Sequence, residues 1–509
     1  GCCCCLCGSN CLAKVQTEAW VRRMISTSPH VILLVFRAHL AKSWLYSRMV
    51  ISWLCADRAG IIPLASCWAS HLTRRLATRS CSPEPTAGTL TPSRPPLAKR
   101  VGGVSEEEVR LHAWRGDCWI TLYGEVYDVT DYLRFHPGKE FLLQAAGQDA
   151  SGLFESVHST HAKALLRSSG FRSSYLVGPL LGNTQRFKFR DPLYMEISAE
   201  VEAYFKAVAG TRWARGGSLE QATVYLKFLI VVGLAGLTKY YSLWCKGVAF
   251  NVLHGVSLLL LIFNVSHGAC HGELIARYPK WFSRISQMMH IFLGSSSGDW
   301  MAWHNMSHHQ HTNTCDDVDT NRSFPVFRLH DHSPHRWYFC YQHIYVWLIY
   351  PFSHVATFLM RDKSSGLLYV VACNMLSWWF SRQSCCLGLL IESLVFGLGF
   401  VMINHVTHTN DKTEYTHNTD ATVGWGEHQI RSSSDWGARL AGFFLGGINY
   451  QIEHHLFQSV HHMHYPALAK IVREAAHRRN VPYVAFPTYT SALHSHYQLL
   501  FRMGQPSSA

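Results

Sequence analysis

Carboxylates are scarce in this chain. Its 509 residues hold 33 Asp and Glu against 46 Lys and Arg, beside 32 histidines. Soluble di-iron bundles build their sites from glutamates on facing helices, and too few acids accompany the histidines here for that. Paired cysteines are missing as well. Nine of the 17 cysteines fall within the first 81 residues, four of them consecutive at Cys2 to Cys5, and no CxxC is followed by a second at zinc-finger spacing. This argues against a secreted disulfide framework and for a reducing, cytosol-facing catalytic part. There is no recognition motif for nucleic acid and no repeat array. The net charge of +13 does not imply a nucleic-acid partner, because the first hundred residues, with 13 Lys or Arg and only Glu18, Asp57 and Glu84 as acids, carry +10 of it.

At this length the chain predicts two or three units. Residues 1–100 read as a leader, transit-like or a non-native extension: the chain opens on glycine, Arg, Ser and Thr are common, acids are rare, and prolines cluster from Pro83 to Pro96. The apolar stretch from Val31 to Ala56 is broken by Arg37, Lys42 and Arg48, which argues against a spanning helix there.

Residues 101–182 read as a small soluble α+β domain. Ser105 is a good N-cap, with Glu106, Glu107 and Glu108 in the following turn where the helix dipole favours acids. Trp119–Tyr123 and Val126–Val129 read as two strands joined by a Gly124-Glu125 turn. The run from Tyr123 through His136-Pro137-Gly138, then Ala146 to Ala150 and Phe154 to Ser159, resembles cytochrome b5 over about residues 104–180. The resemblance implies a haem b held by His136 and His158, with His161 the runner-up for the second position. Two axial histidines leave no site for oxygen, so such a haem passes electrons. The family writes His-Pro-Gly-Gly; here Lys139 follows Gly138 directly, and strain is expected in the turn that aims His136.

Residues 183–222 read as a linker that packs on the membrane domain, 223–485 as that domain, and 486–509 as a C-terminal tail. Thr223–Leu243, Gly247–Ser266, His343–Met360 and Ser384–Ile403 are candidate spans; Gly247–Ser266 has no formal charge over 20 residues. Gly366–Phe380 is expected to be interfacial or merged with its neighbour. Four crossings put the histidine clusters on one face of the membrane.

Those clusters are His267 with His271, His304 with His308 and His309, and His454 with His455. An His-x-x-x-His pair on a helix puts both imidazoles on one face, and neutral imidazole is a good iron ligand. Three such clusters beside apolar segments suggest an iron centre that works on lipid. His254, inside an apolar run, reads as a hydrogen-bonded interior group. The segment from Gly446 to Phe457, with Gln451-Ile452-Glu453-His454-His455 at its centre, and Trp303 to Asn313 resemble the third and second boxes of front-end membrane fatty acid desaturases, whose third box opens with Gln.

The resemblance implies an α-helical integral membrane domain of about four transmembrane helices with a cytosolic di-iron cap, behind the cytochrome b5 domain. Two iron ions would be held by His267, His271, His304, His308, His309, His454 and His455, with Gln451 a ligand or the residue that orients one. A further histidine lies between boxes two and three in that family; Asn404-His405 fits best, with His408 the alternative. His461, His462 and His464 read as supporting or lipid-facing. Gly268 stands where the family usually has Asp or a similar residue, so a carboxylate that would orient a ligand is missing.

The implied activity is oxygen-dependent, Δ5/Δ6-type front-end desaturation of a polyunsaturated acyl chain linked to phospholipid or CoA. Electrons would come from NADH through cytochrome b5 reductase and the fused haem. The implied place is the lipid bilayer of the endoplasmic reticulum with its catalytic side to the cytosol, or a plastid membrane if the leader is real. A sphingolipid long-chain-base desaturase, an acyl hydroxylase and a tethered haem electron carrier with an inactive iron domain are the alternatives.

Overall fold

The structure is a computed structural model and describes residues 102–506, apart from 183–185, 210–217, 246, 276–277, 294–295, 322, 361–362, 382–384 and 417–422. The leader read in residues 1–100 lies outside the described residues.

The first unit is built on a four-stranded antiparallel sheet in the order β1 (Ala113–Trp114), β2 (Asp117–Leu122), β3 (Glu125–Asp128), β4 (Leu176–Pro179). The Ser105 hydroxyl accepts from the Glu108 amide and caps α1 (Glu106–Leu111). The β2–β3 connection is Tyr123-Gly124, one residue earlier than the pattern suggests. Both residues have positive φ, 56° and 77°, as a two-residue hairpin turn matched to strand twist requires. Tyr123 is held in that conformation from two sides: its amide donates to Ser151 Oγ at 2.8 Å and its hydroxyl to Glu155 at 2.5 Å. Four short helices, α2 (Lys139–Gln144), α3 (Ser151–Val157), α4 (Thr160–Arg167) and α5 (Ser169–Tyr175), close over one face of the sheet.

The segment read as a linker contains an 18-residue helix, α6 (Pro192–Ala209). Leu193, Tyr194, Ile197, Val201 and Phe205 share a core with Ile452, Leu456 and Phe457 and with Leu468 and Val472 of α12 (Tyr465–Arg478). The linker is therefore part of the scaffold under the third histidine box.

Among the described residues three helices are long and apolar enough to cross a membrane: Glu220–Cys245, within α7 (Ser218–Cys245); Val248–Cys270, which begins as α8 (Val248–Leu261); and α10 (Cys386–His408). The outward faces carry exposed Leu226, Leu229, Ile230, Leu237 and Leu253, as lipid contact requires. Polar groups within the spans are turned inward and paired. Lys239 meets Glu392 at 2.7 Å, Ser242 donates to Glu392 at 2.6 Å, and His254 Nδ1 lies 3.1 Å from Thr238 Oγ1. Gly255 lets α8 and α10 approach closely, since a Cβ there would lie 2.9 Å from the Glu392 carbonyl oxygen and 2.8 Å from Val395.

One expectation about the membrane domain is corrected. His343–Met360 is not one span: it breaks into Gln342–Ile349, a 3-10 turn at Tyr350–Phe352 containing Pro351, and Ser353–Met360. Pro351 supplies no amide donor and stops the helix, and eight residues rise only about 12 Å. Gly366–Phe380 lies within a 19-residue helix, α9 (Lys363–Ser381), with a shorter apolar core at Leu367–Trp379. α9 packs on α7, and α8 and α10 lead into the two neighbouring histidine groups, His267 and His271 following the first and His408 closing the second. Residues 486–509 are not a simple tail either. Thr488 and Ser491 form a capping box that opens α13 (Tyr489–Gly504), and His496 of that helix bonds to Tyr350 at 2.7 Å.

Candidate metal centre and haem pocket

The histidine boxes are placed by departures from regular helix. After Leu261 the chain makes a π turn at Ile262–Ser266, and His267–Cys270 continues the helix with His271 as its cap. Ser297–Trp303 likewise runs into a π turn at His304–His308. Such wide turns re-aim side chains and recur at functional sites. Box three lies on a short helix, α11 (Gln451–Leu456), whose first turn is fixed by Asp435 accepting from the Ile452 amide at 3.1 Å. Asn305 ties box two to box one by donating to the Cys270 carbonyl at 2.9 Å.

Seven histidines gather into two groups, in each of which ligand nitrogens lie within 4.8 Å of one another. The first is His267, His271, His304 and His454; the second is His308, His408 and His455. All seven are buried. His309 stands between the groups, its ring stacked on His455 with centroids 4.1 Å apart and its Nε2 3.0 Å from Nε2 of His304. The π turn thus has a consequence that the four-residue spacing did not suggest: His304 and His308 serve different groups, and His304 and His309 meet.

The residue between boxes two and three is also corrected. His408, at the end of α10, joins the second group, whereas His405 lies outside it, bonding Tyr350 at 3.1 Å and lining the adjoining cavity. Three residues along a helix set two side chains about 60° apart on one side of it, and the offset is enough that the His408 ring meets His308 and His455 while the His405 ring meets Tyr350 and His496.

The imidazoles are oriented from behind. His308 Nδ1 lies 3.1 Å from the buried Asp317 carboxylate, His455 Nδ1 2.9 Å from Gln429 Oε1, His271 Nδ1 3.2 Å from Gln458 Oε1, His454 Nδ1 3.2 Å from the Tyr465 hydroxyl, and His408 Nδ1 3.2 Å from the Ser432 carbonyl. Each contact holds Nδ1 and leaves Nε2 to face the group. Nε2 of His271 and of His454 are buried without any hydrogen-bond partner. Burial drives the His271, His309, His454 and His455 imidazoles well below their ordinary pKa and His304 to about 4. Neutral rings with aimed, unpaired nitrogens fit a metal ion of the iron type.

Sequence reasoning missed Asp317, Gln429, Gln458 and Tyr465. Only Asp317 had a usable signal: Asp316, Asp317 and Asp319 follow box two directly in a chain poor in acids. The space beside Gly268 is occupied by another carboxylate, Glu273. Glu273 folds back so that a Cβ on Gly268 would lie 2.0 Å from its Oε2, and its other oxygen pairs with His461 at 3.1 Å.

In the first unit His136 and His158 line a cavity of about 460 Å³ whose other walls are mainly apolar, among them Ile120, Leu122, Val129, Leu153 and Phe154. The two rings have centroids 5.8 Å apart. His158 Nδ1 bonds to the Phe154 carbonyl at 3.2 Å, and burial pulls the imidazole down to about 3. His161 is exposed on α4 and does not line the cavity. Gly138 has φ −91° and caps α2 directly, so the shortened turn needs no left-handed residue. An apolar slot with two opposed neutral histidines fits a haem.

Comparison with known proteins agrees with both halves. Residues 105–181 match the family model "Cytochrome b5-like Heme/Steroid binding domain" and residues 242–487 match "Fatty acid desaturase". The chain is 29% identical over 456 residues to an acyl-lipid (8-3)-desaturase of Physcomitrium patens, covering 78% of this chain and 90% of the relative. It is 28% identical over 444 residues to Delta(5) fatty acid desaturase A of Dictyostelium discoideum, covering 79% and 93%. It is 27% identical over 348 residues to an sn-1 linoleoyl-lipid 6-desaturase of Arthrospira platensis, covering 60% and 91%. A haem-binding unit fused ahead of a histidine-boxed membrane unit is what these matches share with the geometry, and the chain belongs to the front-end membrane fatty acid desaturases that carry a cytochrome b5 domain.

Proposed function

We propose that this desaturase inserts a cis double bond between an existing double bond and the carboxyl end of a long polyunsaturated acyl chain, with Δ5 or Δ6 regiochemistry. The observation that carries the reading is one cavity of about 120 Å³. His304, His308 and His408 line its metal end, and Ile262, Leu293, Phe396, Phe400 and Val401 continue it between the spans. An unactivated methylene offers no polar handle, so the acyl chain must be placed by such apolar walls against the reacting centre. The relatives, an acyl-lipid (8-3)-desaturase and a Delta(5) fatty acid desaturase among them, support the substrate class.

In this reading His267, His271, His304 and His454 would hold one iron ion and His308, His408 and His455 a second, with His309 close to both groups and Gln451 beside the second. His136 and His158 hold the haem. Iron, when bound, supplies the redox chemistry with O2 that breaking two such C–H bonds requires. The residues of the chain keep the ligand imidazoles neutral, aim them through Asp317, Gln429, Gln458 and Tyr465, and exclude water with the surrounding aromatic walls. The balance is one O2, two electrons and two protons consumed, and two waters formed, for each double bond. NADH-cytochrome b5 reductase is the proposed electron source, and the cytosolic face of the endoplasmic reticulum the proposed place.

Expression of the full chain in yeast fed with individual polyunsaturated acids tests this. The expected product carries one new cis bond on the carboxyl side of the existing ones. A hydroxylated acid, a desaturated long-chain base, or unchanged acids in cells whose enzyme holds haem and iron would sink the proposal.

A further inference from the structure

His271 belongs to two places at once. It lies in the first metal-binding group and also lines the haem cavity, where it is joined by Gly272, Ile275 and Ser459 of the membrane unit. The two units therefore share a wall, and one side chain bonds to both sides of it. Gln458 accepts from His271 Nδ1 at 3.2 Å through Oε1 and donates to Ser156 Oγ at 2.8 Å through Nε2. Ser156 in turn donates to the Leu153 carbonyl at 3.0 Å within α3, the helix that ends at His158. Ser156, Gln458 and His271 are 0%, 1% and 2% exposed. Few side chains other than an amide present a donor and an acceptor at the spacing this bridge needs.

We propose that Gln458 is a positioning residue for electron transfer, joining the haem-bearing helix to a metal-binding imidazole through one buried hydrogen-bonded chain. It sets the His271 tautomer by holding Nδ1–H, and it fixes α3, and with it His158, against the membrane unit. Ser459 supports the same register, its hydroxyl reaching the Val157 carbonyl at 3.5 Å. A buried chain of this kind is rigid because every unmade bond would leave a polar group desolvated. The proposal rests on His271 as a metal ligand and His158 as a haem ligand. Failure of those assignments shows separately, as a wild-type chain that binds no iron or no haem.

The test uses the full chain with haem and iron. Gln458→Met keeps the volume and removes both bonds; Ser156→Ala cuts the chain on the haem side, away from the metal. Gln458→Glu keeps an acceptor for His271 and takes the Ser156 hydroxyl as donor. After chemical reduction, the rate of haem re-oxidation on mixing with O2 and acyl substrate is followed by absorbance. Backbone hydrogen exchange of residues 151–157 is measured in parallel without turnover. Gln458→Met and Ser156→Ala are each expected to slow re-oxidation about tenfold and to raise exchange, with the haem spectrum and iron content unchanged. The double variant should be no slower than Gln458→Met, because both cut one link, and Gln458→Glu should stay within about twofold of wild type. Wild-type rates and exchange in both single variants would overturn the proposal. So would a double variant whose losses multiply, or a Gln458→Glu as slow as Gln458→Met. If Gln458→Met does not fold, Ser156→Ala alone decides, by the same two measurements.

Discussion

Gln451 sets its amide nitrogen 2.9 Å from Nε2 of His408, a residue 43 positions earlier on another helix. The same nitrogen lies 3.3 Å from Nε2 of His455, and Oε1 is buried with no hydrogen-bond partner. A side chain in that place touches the metal-facing nitrogens of two members of the second group. Gln451→Ala is expected to lower desaturation about ten- to hundredfold while the protein still folds. Fatty acid profiles, read beside thermal stability in detergent, check this; near-wild-type product with full iron would reduce Gln451 to a packing role.

His405 and His408 separate cleanly by metal content. His408→Ala removes a member of the second group and should lower both iron and activity. His405→Ala removes the bond to Tyr350 and the ring contact with His496, and should leave iron in place. Elemental analysis of the purified variants distinguishes them, and iron loss in His405→Ala would contradict the placement of α10.

Gly268→Asp, which would restore the family's usual residue, is expected to harm this chain. The new Cβ would lie 2.0 Å from Glu273 Oε2 and bring a second carboxylate against the first. Glu273 can move, but only by leaving His461. Overpacking of this kind costs about 1–3 kcal/mol, to be read as a lower melting temperature. A more stable Gly268→Asp would show that Glu273 does not fill this space.

Acid should destabilise the iron-free protein. Burial holds the imidazoles of His304, His428 and His496 at about 4, below their ordinary 6.5. Groups depressed on folding contribute stability above pH 6.5 that is lost as the pH falls toward 4, because the unfolded chain then binds more protons. Asp435 acts in the opposite sense, raised by burial from 3.8 to about 6, so acidification through that window favours its folded form. Glu453 and Asp149 are raised by burial too, but the imidazoles held down by burial, which also include His271, His309, His454 and His455, outnumber these carboxyls. The melting temperature should drop between pH 7 and 5, and a flat profile would argue against neutral, buried histidines.

Much of the site was legible before any fold. The three histidine boxes and the three apolar runs that became α7, α8 and α10 show as local pattern, since metal-binding spacing and bilayer length are short-range properties, and the His136 and His158 pair shows through the resemblance to cytochrome b5. The Ser105 cap and the β2–β3 hairpin were readable for the same reason, to within one residue at the turn. The broken segment at Pro351 carried a readable signal that its apolar composition outweighed.

Other features depended on three-dimensional placement. Whether His405 or His408 faces the metal depends on the rotation of α10 about its axis, which its packing on α8 sets. That His304 and His308 serve different groups follows from a π turn, invisible to a count of residues. Glu273 over Gly268, and Gln458 between Ser156 and His271, join positions that are distant along the chain or lie on a reversed turn. Their partners are chosen by which buried polar atoms would otherwise go unpaired. Sequence determined which chemical groups this protein owns and how each sits on its own helix. Tertiary structure decided which of them meet, because burial makes every unmatched donor and acceptor costly and so selects one arrangement among the many that local spacing allows.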